Sequence, residues 1–241
     1  MEPAVIQLKE MVASSDNIVF FGGAGVSTES GIPDFRSVDG LYHQKFRYPP
    51  ETILSHTFYE RHKEEFFDFY RQKLIAPEAR PNAAHVKLAQ WERDGKLKAV
   101  ITQNIDGLHQ MAGSHEVLEL HGSVHRNHCQ RCGKFYGLEH ILRTEGVPRC
   151  SCGGIIKPDV VLYEESLDAR VLEGALEDIQ QADLLIIGGT SLVVYPAAGL
   201  VNYYRGDRLV LINKSPTPYD RKADLVLTGS IGELLGQLQV R

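Results

Sequence analysis

The sequence lacks the long apolar runs that would direct it to a membrane. No stretch of its 241 residues approaches the roughly 18 consecutive apolar residues that a membrane-spanning helix needs. Residues 1–14 have neither the basic start nor the uninterrupted apolar segment of a secretory signal. We therefore expect a cytoplasmic protein that has no membrane partner.

An excess of positive charge is also missing. The chain has 26 Lys and Arg against 31 Asp and Glu, which gives a formal net charge of -5. Affinity for nucleic acid comes mostly from cations that neutralise phosphates, so this balance argues against a nucleic acid as the main partner. No internal repeat or low-complexity tract is present, and the 43% of hydrophobic residues can form a large core. We expect a folded protein that works as a monomer.

Cysteine is scarce, and its four occurrences form two close pairs. Cys129 and Cys132 are spaced C-x-x-C, whereas Cys150 and Cys152 are spaced C-x-C. Because the cytosol keeps thiols reduced, this spacing indicates a metal site and not disulfides. Four thiolates would complete a tetrahedral zinc site, which stabilises a fold and leaves no open position for a substrate. The unusual C-x-C spacing keeps free buried thiols as the alternative.

Short apolar runs of strand type alternate with helical patterns along most of the chain. A helical period through residues 5–12 precedes the first run. Strands are predicted at 18–21, 99–102, 184–187, 208–212 and 224–227, and helices at 83–93, 168–181 and 196–204. Strands that are apolar on both faces predict an α/β fold, a doubly wound parallel sheet covered by helices on both sides. The alternation breaks at 45–80 and 125–158, which we interpret as insertions that form a second, smaller domain.

Polar and glycine-rich residues follow several of the predicted strands. In such sheets ligands bind at the carboxyl ends of the strands. The glycine turn at 22–27 exposes backbone N–H groups that suit a pyrophosphate, although the acidic residue of ordinary dehydrogenases, about 20 positions on, is missing. Residues 103–106, 188–191 and Asn213 follow later strands and could hold a ribose, an amide or a phosphate. Each set taken singly could equally be turn or helix-cap residues.

His121 ends the apolar segment at 117–120 and therefore lies at another strand end. Histidine has the pKa that a general base needs near neutral pH. Since nine other histidines are present, position alone does not establish that role.

Taken together, several motifs resemble the sirtuin family, in the right order and over nearly the whole chain. They are GAGVS at 23–27, GIPDFR at 31–36, QNID at 103–106, HG at 121–122, the two cysteine pairs, and GTSLVVYPA at 189–197. The resemblance implies a Rossmann-like NAD-binding domain over 1–44, 81–124 and 159–241. It also implies a small domain with a helical module at 45–80 and a zinc-binding module at 125–158, and a cleft between the two domains where NAD meets acyl-lysine.

The implied activity is that of an NAD-dependent protein-lysine deacetylase or deacylase, which forms deacylated lysine, nicotinamide and O-acyl-ADP-ribose. His121 would be the general base, and Asn104 would hold the ribose and a water. Asp106 would bind the nicotinamide amide, and Phe35 would cover the reacting ribose carbon.

The resemblance also implies two sets of binding residues. Those expected to contact NAD are Gly23, Ala24, Gly25, Thr28, Asp34, Phe35, Arg36, Gln103, Asn104, Ile105, Asp106, His121, Gly189, Thr190, Ser191, Asn213, Lys214, Ser230 and Ile231. Those expected to contact an acyl-lysine protein or peptide are Val160, Val161, Leu162, Tyr163 and Val193, with Tyr70 and Lys73 near the acyl group.

The chain departs from the family pattern at two places. Residues 163–165 read Tyr-Glu-Glu where many relatives have Phe-Gly-Glu, which changes the acyl-lysine entrance. Tyr70 and Lys73 match the Tyr-x-x-Arg of relatives that prefer succinyl or malonyl lysine, but Lys lacks the bidentate fork of Arg, and charged helix residues are usually solvated. Acidic-acyl preference therefore stays an alternative. The rival functions are ADP-ribose transfer or NAD hydrolysis, and a non-catalytic NAD sensor.

Overall fold

A computed structural model describes residues 2–36, 40–44 and 46–238. The predicted domain limits at residues 1, 45 and 241 lie outside the described residues. Within them the chain forms two sheets, whose strands are β1 Ile18–Gly22, β2 Leu97–Thr102, β3 Val117–Glu119, β4 Gly122–Cys129, β5 Phe135–Tyr136, β6 Ile156–Val160, β7 Leu184–Gly188, β8 Leu209–Asn213 and β9 Leu225–Thr228.

The larger sheet has the order β3-β2-β1-β7-β8-β9, and all its neighbouring strands are parallel. Every residue of β1 and β7 is buried, as expected for strands covered on both faces. The predicted doubly wound α/β fold is confirmed. The chain crosses from β3 on one edge back to β7 beside β1, so the carboxyl ends of all six strands lie along one edge.

The helices are α1 Pro3–Ala13, α2 Pro50–Ile53, α3 His56–Arg61, α4 Lys63–Phe69, α5 Ala83–Arg93, α6 Leu108–Met111, α7 Leu138–Arg143, α8 Ala169–Gln181 and α9 Ile231–Gly236. Side chains cap two of the long ones. Asn82 forms a capping box with His85 at the start of α5, and Asp168 accepts hydrogen bonds from two N–H groups of α8. The predicted helix at 196–204 is a 3₁₀ helix over Ala197–Tyr203.

Alternate residues of the central strand enter two different cores. Ile18 and Phe20 pack with residues of α1, α5 and α9, whereas Val19 and Phe21 pack with residues of α8 and the 3₁₀ helix. The sheet is therefore covered on both faces, which leaves the strand ends as the place for a ligand.

Both inserted segments contribute to a third core. Helices α2 to α4, with a π-helical turn at Tyr70–Leu74, pack against the antiparallel sheet β5-β4-β6. Tyr59, Phe66 and Ile156 are among its fully buried members. The helical and zinc-binding segments thus share one hydrophobic interior.

The predicted module limits at 124/125 and 158/159 fall inside β4 and β6. Gly122 pairs with Val160, so the small sheet extends to the edge of the large one. Gly122 has a φ of 75°, and a Cβ there would overlap the carbonyl oxygen of Asp159. Glycine at this position lets β4 leave β3 directly after His121.

Among the described residues, none of the helices combines the length and apolar character required to cross a membrane.

Candidate active site

A cavity of about 500 Å³ opens where the strand ends meet the small domain. All the predicted NAD-contacting residues line it except Ser230, and so do residues 160–163 and Lys73. Three predicted site residues lie elsewhere. Ser230 is the residue before α9, Val193 is 46% exposed beside Val194, which does line the cavity, and Tyr70 is buried in the third core.

The two glycine loops at the strand ends pack backbone on backbone. Gly25 N–H donates to Gly189 O at 2.8 Å, and a Cβ on Gly25 would lie 2.7 Å from Gly189 Cα. Gly189 has a φ of 61°, which favours glycine. The glycines after β1 and β7 are therefore required for this close approach, which places backbone groups of both loops at the cavity.

A buried chain of hydrogen bonds orients the Asn104 amide. Ser27 Oγ donates to Asp106 Oδ2 at 2.6 Å, so it accepts at 3.0 Å from Asn104 Nδ2. The Asn104 carbonyl oxygen is then the side-chain atom that the cavity can use. Asp106 Oδ1 also accepts from Leu108 N–H, the first residue of α6, although the N-cap residue of that helix is Gly107. Sequence reasoning did not identify Ser27 as a site residue, although it is the last residue of the GAGVS motif.

His121 is held in one tautomer by a backbone carbonyl. Its Nδ1 lies 3.0 Å from Gln103 O, and because a carbonyl only accepts, Nδ1 carries the proton. In the neutral ring Nε2 is then the basic atom. Burial lowers the pKa of His121 from its ordinary value of 6.5, while the bond to Gln103 acts in the opposite direction. A neutral imidazole with one defined basic nitrogen is the form that a general base requires.

A second network joins residues at the ends of β2, β7 and β8. Gln103 Nε2 donates to Thr190 Oγ1 at 3.0 Å, and Thr190 N–H donates to Asn213 Oδ1 at 2.9 Å. Within the described chain, Asn213 Nδ2 is buried without a hydrogen-bond partner. A buried donor of this kind costs free energy unless something accepts from it, and Asn213 lines the cavity.

The described residues of the loop at 34–42, which are 34–36 and 40–42, lie at the other side of the cavity. Leu41 N–H donates to Asp34 O at 2.8 Å, and Tyr42 N–H donates to Phe35 O at 2.9 Å. The Phe35 and Tyr42 rings meet edge to face at 5.6 Å, and the Arg36 guanidinium lies 5.1 Å from the centre of the Tyr42 ring.

Residues 160–163 continue from β6 along the rim of the cavity. Val161 N–H donates to His121 O at 3.0 Å, and Tyr163 exchanges backbone hydrogen bonds with Leu54 and His56. This segment therefore connects His121 with the helical module.

Tyr70 and Lys73 are not brought together at the cavity. Tyr70 is fully buried, stacks on Phe66, and its hydroxyl has no partner among the residues that the structure describes. Lys73 does line the cavity, where its ammonium donates to Gln44 Oε1 at 3.2 Å.

The four cysteines come together as free thiols with their sulfurs within 4.8 Å of one another. Two of the sulfur pairs are 3.5 and 3.6 Å apart. Zinc–sulfur bonds of about 2.3 Å in a tetrahedron place sulfurs about 3.8 Å apart, so the cluster fits a zinc ion. The C-x-C spacing therefore does not prevent convergence of the four thiols.

Residues 23–196 match the model of the Sir2 family. A protein of Clostridium perfringens named NAD-dependent protein deacetylase is 62% identical over 99% of both chains. One of the same name from Staphylococcus epidermidis is 45% identical over 98% of this chain and 97% of its own.

Solved structures of Sir2 enzymes have the same fold. One, described as a structural basis for their mechanism and regulation, has a TM-score of 0.89 at 41% identity and covers 99% of this chain and 97% of its own. Another, a Sir2 variant with a deacetylated p53 peptide and 3'-O-acetyl ADP-ribose, has a TM-score of 0.88 at 40% identity, covering 96% of this chain and 95% of its own. Sequence motifs, site geometry and fold agree, and the chain belongs to the Sir2 family.

Proposed function

We propose that this chain is an NAD-dependent protein-lysine deacetylase in which His121 is the general base. The observation that carries the proposal is the position of His121 in the cavity, as a buried imidazole whose proton is fixed on Nδ1. The relatives with 62% and 45% identity carry the name of this activity.

The cavity suits NAD in its donors and its shape. The glycine turns after β1 and β7 line the cavity, where a pyrophosphate can approach the backbone closely, and Asn213 Nδ2 offers a buried donor that lacks a partner within the described chain. When bound, NAD supplies a ribose carbon from which nicotinamide can leave.

The residues of the chain then have distinct tasks. The amide of Asn104, held by Ser27, orients a ribose hydroxyl and a water, and Asp106 binds the nicotinamide amide. Phe35 shields the reacting carbon from water. His121 Nε2 accepts a proton from a ribose hydroxyl, which makes that oxygen nucleophilic toward the acyl carbon. The acyl oxygen of the substrate replaces nicotinamide on the ribose carbon, and one water is consumed when the lysine is freed. The products are deacylated lysine, nicotinamide and O-acyl-ADP-ribose.

The acyl-lysine peptide binds in extended form between residues 160–163 and 192–194. Such a segment can add as a strand through backbone hydrogen bonds, which read little of its sequence. Many acylated proteins are therefore expected as substrates.

The test is incubation of the protein with NAD and an acetyl-lysine peptide, with nicotinamide and the deacetylated peptide both measured. We expect nicotinamide release that depends on the peptide. Release without peptide would favour ADP-ribose transfer or NAD hydrolysis, and binding of NAD without release would favour a sensor.

The pH dependence follows from the lowered pKa of His121. A general base works in its neutral form, and burial extends that form to lower pH. We expect kcat/KM to be at its plateau at pH 7 and to fall on acidification with a midpoint below 6.5. The measurement is kcat/KM from pH 5 to 8 in buffers of constant ionic strength. A midpoint above 6.5 would contradict the assignment.

Acyl preference follows from the separation of Tyr70 and Lys73. A single ammonium, without the Tyr70 hydroxyl beside it, is a poor receptor for a succinyl carboxylate. We expect acetyl-lysine to react at least about ten-fold faster than succinyl-lysine, since one well-placed charged bond is worth about that factor. Paired assays of the two peptides measure the ratio. If Lys73→Met and Tyr70→Phe each lost activity on succinyl-lysine selectively, the acidic-acyl alternative would be restored.

A further inference from the structure

Two tyrosine hydroxyls meet at the mouth of the cavity. Tyr42 Oη and Tyr163 Oη are 2.7 Å apart, and both residues line the cavity. They are far apart in the chain and belong to different parts of the site. Tyr42 belongs to the loop at 34–42, and Tyr163 to the segment that follows β6.

Each tyrosine is anchored to other residues of the site. The backbone N–H and the ring of Tyr42 both contact Phe35, and its ring also lies under the Arg36 guanidinium. Tyr163 is held by its backbone to Leu54 and His56 of the helical module. The hydroxyl pair therefore joins the part of the site around Phe35 and Arg36 to a segment that backbone hydrogen bonds hold to the helical module.

A phenylalanine at position 163 could pack in the same way but could not form this bond. Burial, and then the bond to Tyr163, raise the pKa of Tyr42, so that its hydroxyl keeps its proton at neutral pH.

We propose that the Tyr42–Tyr163 hydrogen bond positions Phe35 and Arg36 for NAD, with Tyr163 as a positioning residue. This inference rests on the proposed function, because that function assigns Phe35 and Arg36 to NAD. A peptide that lies against residues 160–163 packs on the Tyr163 ring and, through the hydroxyl bond, restrains Tyr42 and the Phe35 that Tyr42 contacts. By thermodynamic reciprocity, bound peptide then tightens NAD binding and bound NAD tightens peptide binding.

The first experiment removes one hydroxyl at a time and keeps the rings. A neutral hydrogen bond corresponds to a change of about three- to ten-fold in binding. We expect Tyr163→Phe to raise the KM for NAD by about that factor while kcat changes less than the KM does. Tyr42→Phe should have the same effect, and the double variant should be no worse than either single one. Tyr203→Phe, a substitution of an exposed tyrosine outside the cavity lining, is the matched control.

The second experiment measures NAD binding by calorimetry, with and without an acetyl-lysine peptide. The gain in affinity that peptide gives the wild type should be smaller in Tyr163→Phe. Unchanged NAD affinity in this variant, or effects of the two single variants that multiply in the double variant, would overturn the inference. Its failure is distinguishable from that of the proposed function, since calorimetry reports NAD binding even if no deacetylation occurs.

Discussion

Replacement of His121 by alanine is expected to lower kcat for deacetylation by about 10²- to 10⁴-fold, the usual contribution of a positioned general base. The reason is that Nε2 is the basic atom of a ring whose other nitrogen is committed to Gln103 O. The affinity for NAD should change far less, because most of the predicted NAD contacts come from other strand ends. The measurement is kcat with saturating peptide and NAD, together with calorimetry of NAD binding.

A matched control uses another histidine of the same chain. His115 is exposed and lies outside the cavity lining, so His115→Ala should retain wild-type kcat. Thermal unfolding of both variants shows whether His121→Ala is folded. If folded His121→Ala deacetylates the peptide at the wild-type rate, another group must be the base.

Loss of the zinc site is expected to lower deacetylase activity to a similar extent, because it destabilises the folded small domain. Cys129 and Cys150 are buried in the same core as the aromatic residues of α3 and α4. Since the binding free energy of structural zinc, about 10 kcal/mol or more, is folding free energy, its removal should unfold the small domain. Cys129→Ser should therefore lose zinc, lose the cooperative unfolding of this region and lose nearly all deacetylase activity.

Two measurements test this: zinc content by atomic absorption, and the hydrogen exchange of residues 122–160. Ser151→Ala is the control, because Ser151 lies between two of the cysteines and supplies no sulfur. The expected exchange pattern is rapid in 122–160 and still slow in the large sheet. A zinc-free protein with native exchange and full activity would show that the cluster does not hold this domain together.

The large sheet was predictable because its strands are buried on both faces. A continuous apolar run such as β1 or β7 is typical of a strand that is buried on both faces. The carboxyl ends of parallel strands lie along one edge of the sheet, independent of the conformation of the loops. The residues that follow these runs, from Gly25 to Asn213, could therefore be assigned to one cavity from sequence. The resemblance to sirtuins supplied their roles.

Side-chain direction and long-range contacts were harder to predict from the sequence. The resemblance of Tyr70 and Lys73 to a Tyr-x-x-Arg motif suggested one shared binding site, but the local helix is π-helical and Tyr70 is buried in the third core. The register shift in β4 between Ser123 and Asn127 breaks the alternation that would have marked the strand. The Ser27–Asp106 and Tyr42–Tyr163 contacts join residues that no local pattern relates.

During translation β1, β2 and β3 are made well before β7, yet β1 lies between β2 and β7 in the sheet. One edge of β1 therefore stays unpaired until residues 184–188 have left the ribosome. Until then, other chains or chaperones can bind to that edge. Gly189, Thr190 and Asn213 arrive with the same late strands. His121 and Asn104 are thus synthesised well before the residues of β7 and β8 that complete the cavity.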